Sequence, residues 1–154
     1  MLNNLVELTG KVVSLPKFSH SCYSISFFKM EIECHRMSKN KDIIPIIVSE
    51  RVLEDVTFEV NDRIIVTGTF SSYNQGSSLQ LFVLANAIDR VYLEKENDQN
   101  NISLIGYICK PPILRETPKG KIITDLFLAV YKSYNRLDFI FCFVKLTIGV
   151  INPT

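Results

Sequence analysis

The sequence has no tryptophan, two histidines and four cysteines among 154 residues, and each scarcity narrows what the chain can do. Cys22, Cys34, Cys109 and Cys142 form no CxxC pair, and His20 and His35 stand at no zinc-site spacing from them, so neither a metal nor another cofactor is expected. Cys34 and Cys142 read instead as small, reduced core residues of a cytoplasmic protein. The six glycines form no phosphate-cradling loop, since Gly10 and Gly68 are isolated, and there is no GxSxG, HExxH or triad pattern. Glu31 and Glu33 alternate with apolar residues and read as a solvated strand face, so no enzyme is expected. The longest apolar run, Phe139 to Val144, is far short of the roughly 18 residues that span a bilayer. Asn3, Asn4 and Glu7 interrupt the start of the chain, which argues against a signal peptide. Charge of one sign is lacking too: the net value is +1. It is unevenly spread, with 10 Lys and Arg against 12 Asp and Glu in residues 1–97, but 7 against 4 in residues 98–154.

What the sequence does contain is a repeat. Leu8-Thr9-Gly10-Lys11-Val12 returns as Leu104-Ile105-Gly106-Tyr107-Ile108, an offset of 96 positions. The same offset pairs Pro16 with Pro112, Arg36 with Lys132, Asp42 with Asp138, Ile44 with Ile140 and Val48 with Val144. One register without insertions over such a span marks a duplicated, domain-sized unit. The expected organisation is a full domain over 1–97 and an incomplete second copy, strands 1 to 3 only, over 98–154.

Within the first copy the apolar period is two. Val6, Leu8, Gly10 and Val12 alternate with Glu7, Thr9 and Lys11, a strand with one buried face that Leu15 and Pro16 are expected to end. Lys17 to Cys22 reads as a loop, and Phe28, Met30, Ile32 and Cys34 predict a second strand. Ile43 to Ser49 predicts a third, with Pro45 at a bulge or an edge. Glu50 to Phe58 reads equally as a short helix or an irregular loop. Ile64 to Phe70 and Leu79 to Leu93 supply strands four and five around a hairpin at Ser71 to Ser78, and residues 94–101 read as a linker. The pattern predicts an all-β chain: an OB-fold, a five-stranded Greek-key barrel, followed by a partial second OB-fold. SH3-like barrels share the strand count, with second and third strands that are usually shorter.

An OB barrel binds oligonucleotides or oligosaccharides over strands 2 and 3 and the loops between strands 1 and 2 and strands 4 and 5. Single-stranded nucleic acid needs flat side chains for its bases and cations for its phosphates. Phe18 and Tyr23 flank the first loop, and Phe70 and Tyr73 lead into the other. The candidate nucleic-acid-binding residues are Tyr73, Phe70, Lys29, Arg36, Lys39 and Lys41, with Tyr131, Lys132, Tyr134 and Arg136 at the corresponding hairpin of the second copy. Tyr73 is out of phase with the core pattern of Ile64 and Val66, whereas Phe70 is in phase and competes for a core role.

Three runs carry a family resemblance: Leu8 to Val12; Ile44-Pro45-Ile46-Ile47-Val48-Ser49-Glu50-Arg51; and Gly68-Thr69-Phe70-Ser71-Ser72-Tyr73-Asn74. Gly106 to Pro112, Thr117-Pro118-Lys119-Gly120 and Asp125 to Val130 add to it. Together they resemble the bacterial single-stranded DNA-binding proteins of Gram-positive anaerobes that carry tandem OB-folds. The resemblance implies a non-catalytic protein that coats single-stranded DNA in replication, repair or recombination. The rival expectation is a primosome-type interaction module that engages other replication proteins. The family pattern of a Pro and a later Trp-Gly-Arg after Asp138 is missing here, and a truncation or reading-frame change near Phe141 is the expectation. Phe139 to Val144 then becomes an aggregation-prone strand, and homo-oligomers through exposed strand edges are expected.

Overall fold

Alternation of apolar residues with a period of two builds the first strand, and its two halves serve different neighbours. In the computed structural model, which describes residues 3–36, 38–92, 98–132 and 136–145, β1 spans Asn4–Cys22. It is followed by β2 (Ile25–His35), β3 (Lys41–Ser49), α1 (Glu50–Glu54), β4 (Arg63–Gln75), β5 (Ser78–Arg90) and β6 (Asn100–Leu104). Val6 to Lys11 pair antiparallel with β4, and Lys11 to Cys22 pair antiparallel with β2. β2 pairs with β3, β5 with β4, and a short parallel pairing of Ile46, Ile47 and Val48 with Val83, Leu84 and Ala85 closes the ring. The sequence thus folds as an OB-like barrel of five strands, in the cyclic order β1-β2-β3-β5-β4.

The closure puts one residue in two inside. Val12, Met30, Ile32, Ile46, Val48, Ile64 and Val66 are fully buried, each contributing roughly 1.5–3 kcal/mol by leaving water. Val52, Leu53, Val56 and Phe58 pack on this core from α1 and the loop after it, which explains why so short a helix forms without a side-chain cap at Ser49. Pro45 stands where β3 has β2 beside it, one residue before the parallel pairing begins, so its missing N–H breaks no closing bond.

Two expected boundaries are corrected. β1 does not end at Pro16: it continues to Cys22 as a two-stranded ribbon with β2, and the Ser14 hydroxyl accepts the Glu31 N–H at 3.0 Å where the register shifts. Tyr23 and Ser24 close the ribbon with φ of 48° and 62°, the two positive values a mirror-image hairpin turn requires. The span read as a linker, 94–101, ends in the first two residues of β6, which lies antiparallel on β1 from Asn4 to Leu8. Asn4 joins both sides: its backbone is in register with Leu104, and its amide brackets Phe70, accepting from the backbone N–H at 2.8 Å and donating to the carbonyl at 2.6 Å. The first compact unit therefore runs past residue 97 to Leu104.

The second compact unit covers 105–154 and contains β7 (Tyr107–Ile108), β8 (Ile113–Glu116), β9 (Ile122–Lys132) and β10 (Arg136–Lys145). β7, β8 and β10 all pair antiparallel with β9. The repeat holds at the level of single pairs. Val12 faces Ile32 as Ile108 faces Leu128, and Met30 faces Ile46 as Leu126 faces Cys142.

Gly10 shows why the repeated stretch keeps its glycine. A Cβ there would lie 2.9 Å from the Glu33 carbonyl oxygen and 3.1 Å from Cys34 Sγ; one at Gly106 would lie 2.6 Å from the Ala129 carbonyl oxygen and 3.1 Å from Val130 Cγ2. Each contact pair is the other shifted by 96 positions. Gly10→Ala is expected to lower stability by about 1–3 kcal/mol in thermal or urea unfolding; an unchanged midpoint would contradict this packing.

All four cysteines are free, and Cys34 is buried. Burial, followed by the charges of Asp42, Asp98 and Glu33, pushes its thiol from 9.0 to about 11. A raised thiol value favours the protonated folded form, so its contribution is whole below pH 9 and is lost as the pH rises toward 11. At pH 8 a thiol reagent is expected to modify the exposed Cys22 and Cys109 while Cys34 stays unmodified until the chain unfolds. Rapid modification of Cys34 in the native protein would count against this core.

Candidate functional site

Because the core takes one face of β2 and β3, the other face is left to solvent, and two hairpins rise beside it. The β1–β2 ribbon brings Ser19 and His20, the β4–β5 hairpin brings Tyr73, Gln80, Leu81 and Phe82, and the sheet between them contributes Lys29, Pro45 and Ile47. These residues line a groove of about 340 Å³. On one wall the Tyr73 ring, 45% exposed, meets Phe82 at 5.6 Å between centroids and 56° between planes. On the ribbon, His20 lies parallel to Phe27 at 5.0 Å and 8°.

Lys29 also borders a second hollow, of about 410 Å³, lined by Ser14, Lys17, Phe18, Ser19, Met30 and Glu31. Lys17 and Lys29 are in register across the two strands. Among the described residues neither has a carboxylate within ion-pair distance. Two cations side by side favour an anion near them, opposed by the charge of Glu31 in the same hollow. Flat rings on the walls of the groove and Lys29 in its floor together suit a ligand that is planar in one part and anionic in another.

The other expected site residues lie elsewhere. Arg36, Lys39 and Lys41 are at the far end of the β2–β3 hairpin, about 20 Å along the strand from Lys29. The Arg36 guanidinium donates to both Asp42 oxygens, Nε to Oδ2 at 2.5 Å and Nη2 to Oδ1 at 2.6 Å. These hydrogen bonds hold the Asp42 carboxyl below its ordinary range and Arg36 above its own. Lys41 pairs with Glu33 at 3.4 Å, and Lys11 approaches the other oxygen of that carboxylate at 3.7 Å. Lys39 is exposed in the turn with φ 63°. Lys132 pairs with Asp138 at 3.3 Å, the Arg36–Asp42 pair moved by one repeat. Tyr131 meets Tyr107 edge to face at 5.9 Å, Arg136 is exposed at the start of β10, and Tyr134 lies outside the described residues. Phe70 packs against the barrel core.

The groove thus unites Tyr73 with Lys29, and it adds residues that the sequence did not single out: Phe82, Ile47 and the His20–Phe27 stack. Phe82 stands in the continuous apolar run from Leu81 to Ala85, where no alternation tells the outward face from the core. His20 gives no signal either, because its segment carries no apolar alternation.

Among the described residues no cluster of His, Cys, Asp or Glu could hold a metal ion, and no helix is long and apolar enough to cross a membrane. Neither a sequence-family profile nor any curated protein sequence matches the chain. Solved structures do. The N-terminal domain of the PriB protein from Thermoanaerobacter tencongensis, solved as a dimer, is 39% identical over 60% of this chain and 100% of that one, with a TM-score of 0.54. The single-stranded DNA-binding protein from Thermus aquaticus is 21% identical over 90% of this chain and 71% of that one, with a TM-score of 0.68. A deletion mutant of the latter protein aligns with a TM-score of 0.67, at 21% identity over 90% of this chain and 73% of its own.

Proposed function

Because the chain belongs to the same family as the N-terminal domain of PriB, we propose that it binds single-stranded DNA, without catalysis, in the groove between the β1–β2 ribbon and the β4–β5 hairpin. The observation that carries this reading is the placement of Tyr73 and Phe82 beside Lys29 on the outer face of β2 and β3. That is the face and the pair of loops that OB barrels use for oligonucleotides. The single-stranded DNA-binding protein among the structural matches has the same fold and supports the same ligand.

Bases stack on Tyr73 and Phe82, and phosphates approach Lys29 and Lys17. A duplex presents its bases only by their edges, so the groove discriminates against it. Arg36, Lys132 and Lys41 act chiefly within their own hairpins, through Asp42, Asp138 and Glu33. Lys39 and Arg136 lend positive potential at the hairpin ends. We read the chain as tandem copies of one fold, acting on strands opened by replication, repair or recombination, and the dimeric state of the PriB domain supports self-association.

Tyr73→Ala is expected to weaken binding of labelled oligo-dT by about 1–3 kcal/mol. Lys29→Ala is expected to reduce the slope of log affinity against log salt by about 0.7, a change that Tyr73→Ala does not make. Titrations at three salt concentrations separate the two effects. Wild-type affinity and slope in both variants would remove the groove from the binding surface.

A further inference from the structure

The protein has two histidines, and the fold sets them in opposite surroundings. His35, at the far end of β2, has the Glu33 carboxylate 3.9 Å from its Nε2, with Lys11 and Lys41 on the same carboxylate at 3.7 and 3.4 Å. His20 stands on the β1–β2 ribbon as part of the groove wall, and the residues lining that groove include no Asp or Glu. The neighbouring elements bring charge of one sign to it. β2 adds Lys29, while β3 with Pro45 and Ile47, and the β4–β5 hairpin with Tyr73, Gln80, Leu81 and Phe82, add no Asp, Glu, Lys or Arg. Lys17 of β1 borders the adjoining hollow, where Glu31 of β2 opposes it.

The His20 ring is held for a change of charge. It lies parallel on Phe27 at 5.0 Å and 8°, and its Nδ1 is 3.0 Å from the Ser19 hydroxyl. A hydroxyl donates to a bare ring nitrogen and accepts from a protonated one, so this contact serves the ring in either state. The face of Phe27 is the negative side of its quadrupole and also accepts a cation. Nε2 has no hydrogen-bond partner among the described residues. Neutral, the imidazole gives the groove a flat wall; protonated, it adds a positive charge beside Lys29.

We propose that His20 is a pH-dependent phosphate contact that tightens the groove on single-stranded DNA as the medium turns acid. The proposal deepens the single-strand reading and rests on it. A phosphate beside the imidazole favours the protonated form, so binding takes up a proton. By linkage, affinity then rises as pH falls. Charge gained at His35 is met by Glu33 on the protein itself and is not offered to a strand.

Labelled oligo-dT is the probe, because over the range from about pH 8 to about pH 5.5, in which imidazole changes charge, neither thymine nor the backbone phosphate does. With the full chain at constant ionic strength, anisotropy is expected to report about two- to fivefold tighter binding at the acid end. The slope of log affinity against log salt is expected to steepen there by about 0.7, the share of one more phosphate. His20→Gln is expected to lose both changes, and His35→Gln to keep them. His20→Arg, permanently charged, is expected to bind tightly at both ends with no step between them. An equal step in wild type and His20→Gln would overturn the proposal and leave the groove intact. So would wild-type binding that is indifferent to pH, or a step lost in His35→Gln instead. No binding at either pH would remove the single-strand reading itself. Should His20→Gln fail to fold, His20→Arg decides alone, since a step that persists there overturns the proposal.

Discussion

β1 has to pass from one neighbour to another within a single strand, and the barrel closes only because it can. Its first half lies against β4 and its second against β2, with Lys11 in register with both Arg63 and Glu33. At Gly10 the crossing brings the β2 backbone so near that no side chain fits. From that crossing follows the ring of strands, and from the ring the division of each strand into a buried and an open face. The same close approach recurs at Gly106 against Ala129, and the pairings of β7 and β10 with β9 repeat those of β1 and β3 with β2.

What the two copies do not share is the open face. In the first unit that face is a groove between two aromatic-bearing hairpins, with Lys29 in its floor. The corresponding face of the second unit holds a ladder of Phe127, Phe139 and Phe141, flanked by Lys110 and Arg115. Residues that close a hairpin are retained in both: Arg36 with Asp42, and Lys132 with Asp138. Inward residues answer to packing, and outward ones are free to diverge toward a ligand.

Much of the fold was legible because burial writes a period of two into β2, β4 and the start of β1. The 96-residue offset also exposed the second copy before any strand was paired. Legibility ended where that period stops. The ribbon from Lys17 to Cys22 carries no alternation, because both its faces meet solvent, and so it read as a loop. Only the structure returns it as the groove wall bearing His20. Arg36 and Lys132 looked like phosphate ligands because a basic hairpin tip is all that sequence displays. Their carboxylate partners, six positions away, come into reach only once the antiparallel register is known. Tyr73, out of phase with the core and in a polar hairpin, is exposed in the structure. Phe82, in the mixed pattern of β5, had to wait for the strand order.

The central claim is that this fold holds single strands by stacking and phosphate contact, and one titration meets it most directly. Labelled oligo-dT is titrated with the full chain at low and high salt, with unlabelled duplex as competitor. The account predicts saturable binding that weakens as salt rises and that duplex does not displace. Equal competition by duplex, or no binding from protein shown to be folded, would contradict it.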